Sequence, residues 1–172
     1  MNEQPMVKIA RYASCQCGSV RFEAVGEPIL SAACYCDDCQ TGAAQIEALA
    51  NAPAFREPDG GTPYVIYRQD RFHCTAGEDL LVDYRITEQA PTRRVVASCC
   101  NAALFLKFGP GHWVSAYRAR FEGDPPPLEM RTQTKFRRAD YPLPADVPSY
   151  RGFGPKLFAK LIAARFSMLL GR

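Results

Sequence analysis

Cys15-Gln16-Cys17-Gly18 and Cys34-Tyr35-Cys36-Asp37-Asp38-Cys39 place five cysteines in the first forty residues, in two tight clusters. Thiolates this close in sequence can converge on one metal ion, and zinc takes thiolate sulfur at about 2.3 Å. The second cluster offers three thiolates. Three protein ligands plus one open position is the usual build of a catalytic zinc site. The chain has eight cysteines: these five with Cys74, Cys99 and Cys100. An even number also permits a disulfide framework. The spacing argues against it, because a disulfide inside Cys-x-Cys closes a small strained ring, whereas chelation there is easy. Residues Met1 to Met6 show no basic region followed by an apolar run, so no signal peptide is expected. A reducing, cytoplasmic location is therefore expected, where metal ligation is favoured over disulfides. One or two zinc ions per chain is the expectation.

The rest of the composition is consistent with one ordinary globular chain. Its 172 residues are 47% hydrophobic and 23% charged, enough for a core that does not depend on metal alone. No stretch of 18 apolar residues occurs, so no transmembrane segment is expected. A net charge of +3 is too small to point to nucleic acid, and none is expected as a partner. The charge is unevenly spread. Residues 1–90 hold 7 Lys+Arg and 13 Asp+Glu; residues 91–172 hold 14 and 5. Either the second half offers a basic face to an anionic ligand, or the two halves neutralise each other in the fold.

The first hundred residues read as β. Val7–Tyr12 leads into the first cysteine cluster, and Ser19–Ala24 alternates apolar and polar as a half-buried strand does. Ile29–Ala33 feeds the second cluster. Thr41–Ala50 is small and apolar, a loop or a short helix. Tyr64–Arg68, Arg71–Cys74, Leu80–Ile86, Arg93–Ala97 and Ala103–Phe108 complete a set of short strands with turn residues between them, which predicts antiparallel sheets. Gly123–Pro127 and Tyr141–Pro148 hold six of the 14 prolines and predict irregular, extended chain. Pro155–Leu170 predicts a helix with proline at its start. Leu157, Phe158, Leu161, Ile162, Phe166, Leu169 and Leu170 are expected on one face, with Lys156, Lys160 and Arg165 on the rest. Such a basic amphipathic helix packs on the sheet or on a second copy of the chain, or lies on an anionic membrane or partner.

In order, Cys15-x-Cys17-Gly18-x-Val20-x-Phe22-Glu23 and Cys34-x-Cys36-x-x-Cys39-Gln40-Thr41-Gly42 resemble the glutathione-dependent formaldehyde-activating enzyme family, which also includes centromere protein V. Gly77-Glu78-x-x-Leu81-x-x-Tyr84 and Cys100-Asn101-x-x-Leu104 continue the resemblance, which covers roughly residues 10–115. It implies a mainly β fold of small antiparallel sheets folded like a tent around zinc, similar to Mss4-like proteins, here with the C-terminal amphipathic helix added. The domain expected is residues 1–122, with residues 123–172 as a proline-rich segment and helix packed on it. The resemblance also implies two zinc sites. Cys15 and Cys17 belong to a structural site closed by a later cysteine pair. Cys34, Cys36 and Cys39 belong to a reactive site associated with glutathione and formaldehyde.

The closing pair departs from the family pattern. A Cys-x-x-Cys ending at Cys100 would begin at Ala97, but the chain has adjacent Cys99 and Cys100. Neighbours in a strand point to opposite faces, so both reach one ion only across a turn or bulge. Three arrangements follow. Cys99 and Cys100 both join Cys15 and Cys17; or one joins while Cys74 or His73 supplies the fourth ligand; or the two face different sites. Cys74 otherwise reads as a buried free cysteine, and Asn101 as a turn former. Asp37 and Asp38 are either proton relays at the reactive site or solvated turn formers. Arg93, Arg94 and Lys107 are the candidates for holding the carboxylates of a glutathione-like ligand. His112, in Gly109-Pro110-Gly111-His112-Trp113, sits in an expected loop that can line a pocket. Two functions follow: a zinc-dependent carbon–sulfur lyase acting on a thiol–aldehyde adduct, with a small thiol such as glutathione as partner, or a non-enzymatic zinc module. A homo-oligomer is compatible with either.

Overall fold

The computed structural model describes residues 9–138 and 140–171. Val7 and Lys8 of the expected first strand, the Met1–Met6 segment and Arg172 lie outside the described residues. The elements in chain order are β1 (Ala10–Ser14), β2 (Arg21–Val25), β3 (Leu30–Cys34), α1 (Asp37–Glu47), β4 (Thr62–Arg68), β5 (Phe72–Ala76), β6 (Leu81–Tyr84), β7 (Thr92–Ala97), β8 (Ala102–Phe108), β9 (Trp113–Tyr117), β10 (Met130–Thr132) and α2 (Pro155–Leu169). A three-stranded sheet runs β1-β2-β5, and a seven-stranded sheet runs β10-β3-β4-β9-β8-β7-β6. The pairs are antiparallel except β10 beside β3, which is parallel. That one pair departs from the all-antiparallel expectation and draws the proline-rich segment into the large sheet.

The large sheet carries a core on each face, because side chains alternate along its strands. Val65 and Tyr67 of β4 pack with the small sheet, where Phe22 and Phe72 stack and Phe105 of β8 meets both rings edge-on. Tyr64 and Ile66, one residue out of step, pack on the opposite face with Ile46 of α1 and Leu161 of α2. Cys15 belongs to the first core and Cys39 to the second. The two cysteine clusters therefore lie on opposite faces of the same sheet.

Two strands go beyond the sequence reading. β9 follows the Gly109–Gly111 turn, where a loop was expected, and Val114, Ser115, Ala116 and Tyr117 are all buried. A strand covered on both faces shows no alternation to detect. β10 is only three residues long. The stretch expected as loop or short helix is α1, and it begins inside the second cysteine cluster. Its buried residues Cys39, Gly42, Ala43 and Ile46 have the i, i+3, i+4, i+7 spacing of one helix face.

The apolar residues of α2 do not share one face. Leu157, Leu161 and Ala164 pack inward, while Phe158, Ile162, Phe166, Leu169 and Leu170 are exposed. Phe158 and Ile162 follow Leu157 and Leu161 by one residue, which is about 100° around the helix. α2 is pinned along its length. Lys156 and Lys160 each place Nζ 2.8 Å from Glu129 Oε2, the Leu161 carbonyl lies 2.8 Å from His112 Nε2, and Arg68 donates to Ser167 Oγ at 3.1 Å.

Candidate metal centres and the adjoining cavity

Cys15 follows β1 and opens a turn that contains Cys17; Gly18 N donates to the Cys15 carbonyl at 3.1 Å and Gly18 takes φ +79°, a conformation glycine adopts without Cβ strain. Cys99 and Cys100 lie in the β7–β8 connection and not in a strand. The Ala97 carbonyl accepts from both Cys100 N (3.3 Å) and Asn101 N (2.8 Å), and Asn101 then takes a left-handed φ of 54°. This tight turn places the adjacent thiols on one side of the chain. The Sγ atoms of Cys15, Cys17, Cys99 and Cys100 all lie within 4.8 Å of one another. Cys15–Cys17 is 3.5 Å, Cys15–Cys99 3.7 Å, Cys17–Cys99 3.3 Å and Cys99–Cys100 4.0 Å. Four sulfurs at tetrahedral corners around zinc stand about 3.8 Å apart, so the donor set fits the ion. Val20 N donates to Cys15 Sγ at 3.3 Å, the kind of backbone bond that steadies a thiolate.

Of the three arrangements for the closing pair, the geometry is that in which both cysteines join Cys15 and Cys17. Cys74 donates instead to the Ala76 carbonyl, and His73 is exposed on β5; neither belongs to the cluster. Hydrogen bonds from the Ser19 side chain and backbone hold the Cys17 thiol down at about 6, with Cys99 and Cys15 assisting. Burial, and then the bonds with Cys17 and Cys15, push Cys99 up to about 12.

Cys34, Cys36 and Cys39 form the second cluster, also within 4.8 Å of one another. Cys34 closes β3, Cys36 caps α1 and Cys39 lies in its first turn. Cys36 Sγ accepts from Cys39 N at 3.4 Å, so this sulfur caps a helix N-terminus, where the backbone dipole favours negative charge. The Tyr64 hydroxyl donates to Cys39 Sγ at 3.5 Å, and burial keeps that hydroxyl protonated. Hydrogen bonds from Cys36 and then Cys39 hold Cys34 down at about 3, against the cost of burial. The bond to the Cys34 thiolate is the main reason that Cys36 and Cys39 are both pushed up. The three sulfurs thus share negative charge that centres on Cys34, and a metal ion binding all three would displace whatever thiol protons remain. Among the described residues no fourth Cys, His, Asp or Glu joins the group.

The three thiols open into a cavity of about 420 Å³ between the large sheet and α2. Of the three basic candidates, only Arg94 lines it. Arg94 is 1% exposed, and its Nη2 donates to the Asp38 carbonyl at 2.6 Å. Its Nε and Nη1 have no hydrogen-bond partner among the described residues. Arg93 pairs with Asp83 at 2.8 Å, and Lys107 is not part of the wall. Asp38 lines the cavity and Asp37 does not. His112 holds α2 and leaves the lining to its neighbour Trp113. Sequence reasoning missed the wall contributed by Phe153, Leu157, Phe158 and Leu161. Its only signal was the apolar content of a helix distant in sequence from every cysteine.

A mainly β protein with two cysteine clusters that can each hold a metal ion, one built of four thiols and one of three, is the class defined by this fold and these sites. The model of the glutathione-dependent formaldehyde-activating enzyme family matches residues 10–119, and the chain belongs to that family. Among solved structures, the chain is similar to a Rhodobacter sphaeroides protein, a Northeast Structural Genomics target. The identity is 14%, with 80% of this chain and 98% of that chain covered and a TM-score of 0.49. No curated protein matches the chain at a significant level. No described helix is long and apolar enough to cross a membrane.

Proposed function

We infer that this chain is a zinc-dependent carbon–sulfur lyase-type protein that makes or breaks a thiol–aldehyde adduct of the S-hydroxymethyl thiol kind. In this reading Cys15, Cys17, Cys99 and Cys100 hold a structural zinc, and Cys34, Cys36 and Cys39 hold a reactive one. Residues 10–119 carry the family's chemistry, and residues 123–172 close the site from outside. The observation that carries the reading is the three-thiol cluster, which lacks a fourth described protein ligand and faces a cavity large enough for a small thiol.

Cleavage of the adduct passes the hydroxyl proton to water, forms the aldehyde C=O and breaks the C–S bond, whose electron pair leaves on sulfur. Zinc bound at the three thiols supplies a Lewis acid that holds the sulfur as thiolate or polarises the aldehyde oxygen. Tyr64 steadies Cys39 through its hydroxyl. Arg94 fixes the first turn of α1, and with it Cys36 and Cys39, through the Asp38 carbonyl. α2 covers the cavity and limits water, which strengthens each of these electrostatic contacts.

The test is zinc content by elemental analysis, with X-ray absorption at the zinc edge, alongside adduct formation from labelled formaldehyde and a thiol followed by NMR. Two zinc ions per chain, a three-sulfur site with a light-atom fourth ligand, and turnover lost in Cys36→Ser are expected. A fourth protein sulfur at both ions, or no acceleration by fully zinc-loaded protein, leaves the non-enzymatic module as the function.

A further inference from the structure

We propose that the three-cysteine cavity takes a thiol or thiol adduct with an aliphatic or aromatic body and at most one anionic group, and that α2 sets this preference. The proposal rests on the reading that Cys34, Cys36 and Cys39 form the reactive site. It goes beyond that reading in naming an apolar ligand in place of a peptide thiol such as glutathione.

Two observations carry it. The first is the character of the wall. Leu106, Phe108 and Trp113 come from β8 and β9, and Leu157, Phe158 and Leu161 come from α2. These surfaces face each other across the cavity, so a flat or linear apolar body lies between them with little area left in water. α2 lies beyond residues 10–119, so half of this wall is outside the part of the chain that matches the family. The second observation is charge. Glutathione brings two carboxylates, and each needs a guanidinium or ammonium to leave water. The cavity offers one cation among its described lining residues, Arg94, and its Nη2 is already committed to Asp38. Asp38 itself repels a second carboxylate. Phe153 and Phe158, both half exposed, line the cavity edge to face with ring centroids 6.0 Å apart and add apolar surface where a charged peptide tail finds no partner.

Trp113 is the chain's single tryptophan and lines the cavity, so its fluorescence reports occupancy directly. The zinc-loaded 172-residue chain is titrated with benzyl mercaptan, glutathione and benzyl alcohol. Benzyl mercaptan is expected to bind at least tenfold tighter than glutathione. Phe158→Asp, at a position already half exposed, is expected to weaken benzyl mercaptan at least tenfold. Ile162→Asp, exposed on the same helix but outside the cavity, is expected to change it less than twofold. Phe158→Ala serves as the second variant if the aspartate impairs folding. Glutathione binding as tightly as benzyl mercaptan overturns the proposal, as does equal sensitivity to Phe158→Asp and Ile162→Asp. The alcohol separates the two readings. If it binds as tightly as the mercaptan, with both dependent on Phe158, the apolar preference stands and the thiol–metal reading falls. If the mercaptan exceeds the alcohol but not glutathione, the metal reading stands and the apolar preference falls.

Discussion

Gly42 and Arg94 depend on each other. A Cβ at Gly42 would stand 2.3 Å from Arg94 Nε and 2.4 Å from its Cζ, so the guanidinium occupies the space an alanine needs. Elsewhere in a helix Gly→Ala stabilises by about 1 kcal/mol through backbone entropy. Here overpacking opposes it at roughly 1–3 kcal/mol. Overpacking wins because Arg94 is buried and tied to the Asp38 carbonyl, so it cannot swing away cheaply. Gly42→Ala is expected to destabilise wild type by about 1 kcal/mol in denaturant unfolding. In an Arg94→Ala background the same change is expected to become neutral or stabilising. Additive effects in this double-mutant cycle would refute the contact. At this scale the cysteines were the legible part, because spacing alone selects thiols that can share an ion. The joint use of Cys99 and Cys100 was not legible. It depends on a turn around the Ala97 carbonyl, and neighbouring cysteines in a strand would have pointed apart. Arg94 was one of three basic candidates, and only its register on β7, facing α1, distinguishes it from Arg93.

The C-terminal helix is held to the body by a carboxylate whose ionisation can be followed. Burial disfavours the charged form of Glu129, but hydrogen bonds from Lys156 and Lys160 outweigh it and hold the carboxyl below its ordinary 4.5. A carboxylate depressed in the folded protein contributes stability that is complete above the unfolded value and is lost as pH falls through the folded one. These are partly solvated pairs, each worth at most about 1 kcal/mol. The expected result is local. Between about pH 5 and pH 3, amide exchange in residues 155–169 accelerates more in wild type than in Glu129→Gln, which lacks the pairing at every pH. Parallel acid profiles for the two proteins would remove Glu129 as the clasp. Most elements were legible because half-buried strands alternate and a proline opens α2. β9 was not, since a strand buried on both faces carries no alternation. Nor was the division of apolar residues in α2, where a broad apolar arc conceals which part of it meets the core.

The two cysteine clusters sit on opposite faces of one sheet and connect the chain over very different distances. Each also has a buried arginine nearby: Arg94 beside the three-thiol site, and Arg120, whose charge is felt by Cys15 and Cys100, beside the four-thiol site. With a divalent ion bound, one nearby cation balances three thiolates and leaves four with a single net negative charge. The difference lies in the loops that are closed. Cys17 and Cys99 are 82 residues apart, so an ion shared by them ties the β1 turn of the small sheet to the β7–β8 turn of the large one. Cys34 and Cys39 are five residues apart and already positioned by β3 and α1. Loop-closure entropy grows as the logarithm of length, and by that rule the long tie restricts the unfolded chain by about 2–3 kcal/mol more than the short one. Cys17→Ser is therefore expected to lower the thermal midpoint by roughly 5–10 °C more than Cys36→Ser, at about 2–4 °C per kcal/mol for a chain of this size. Both variants are expected to lose one zinc equivalent by elemental analysis. A strong chelator should bring wild type and Cys17→Ser to the same midpoint, because the difference between them exists only while the ion joins the two sheets. Equal shifts for Cys17→Ser and Cys36→Ser at matched zinc loss would show that neither cluster staples the fold, and the division into a structural and a reactive site would fall with it.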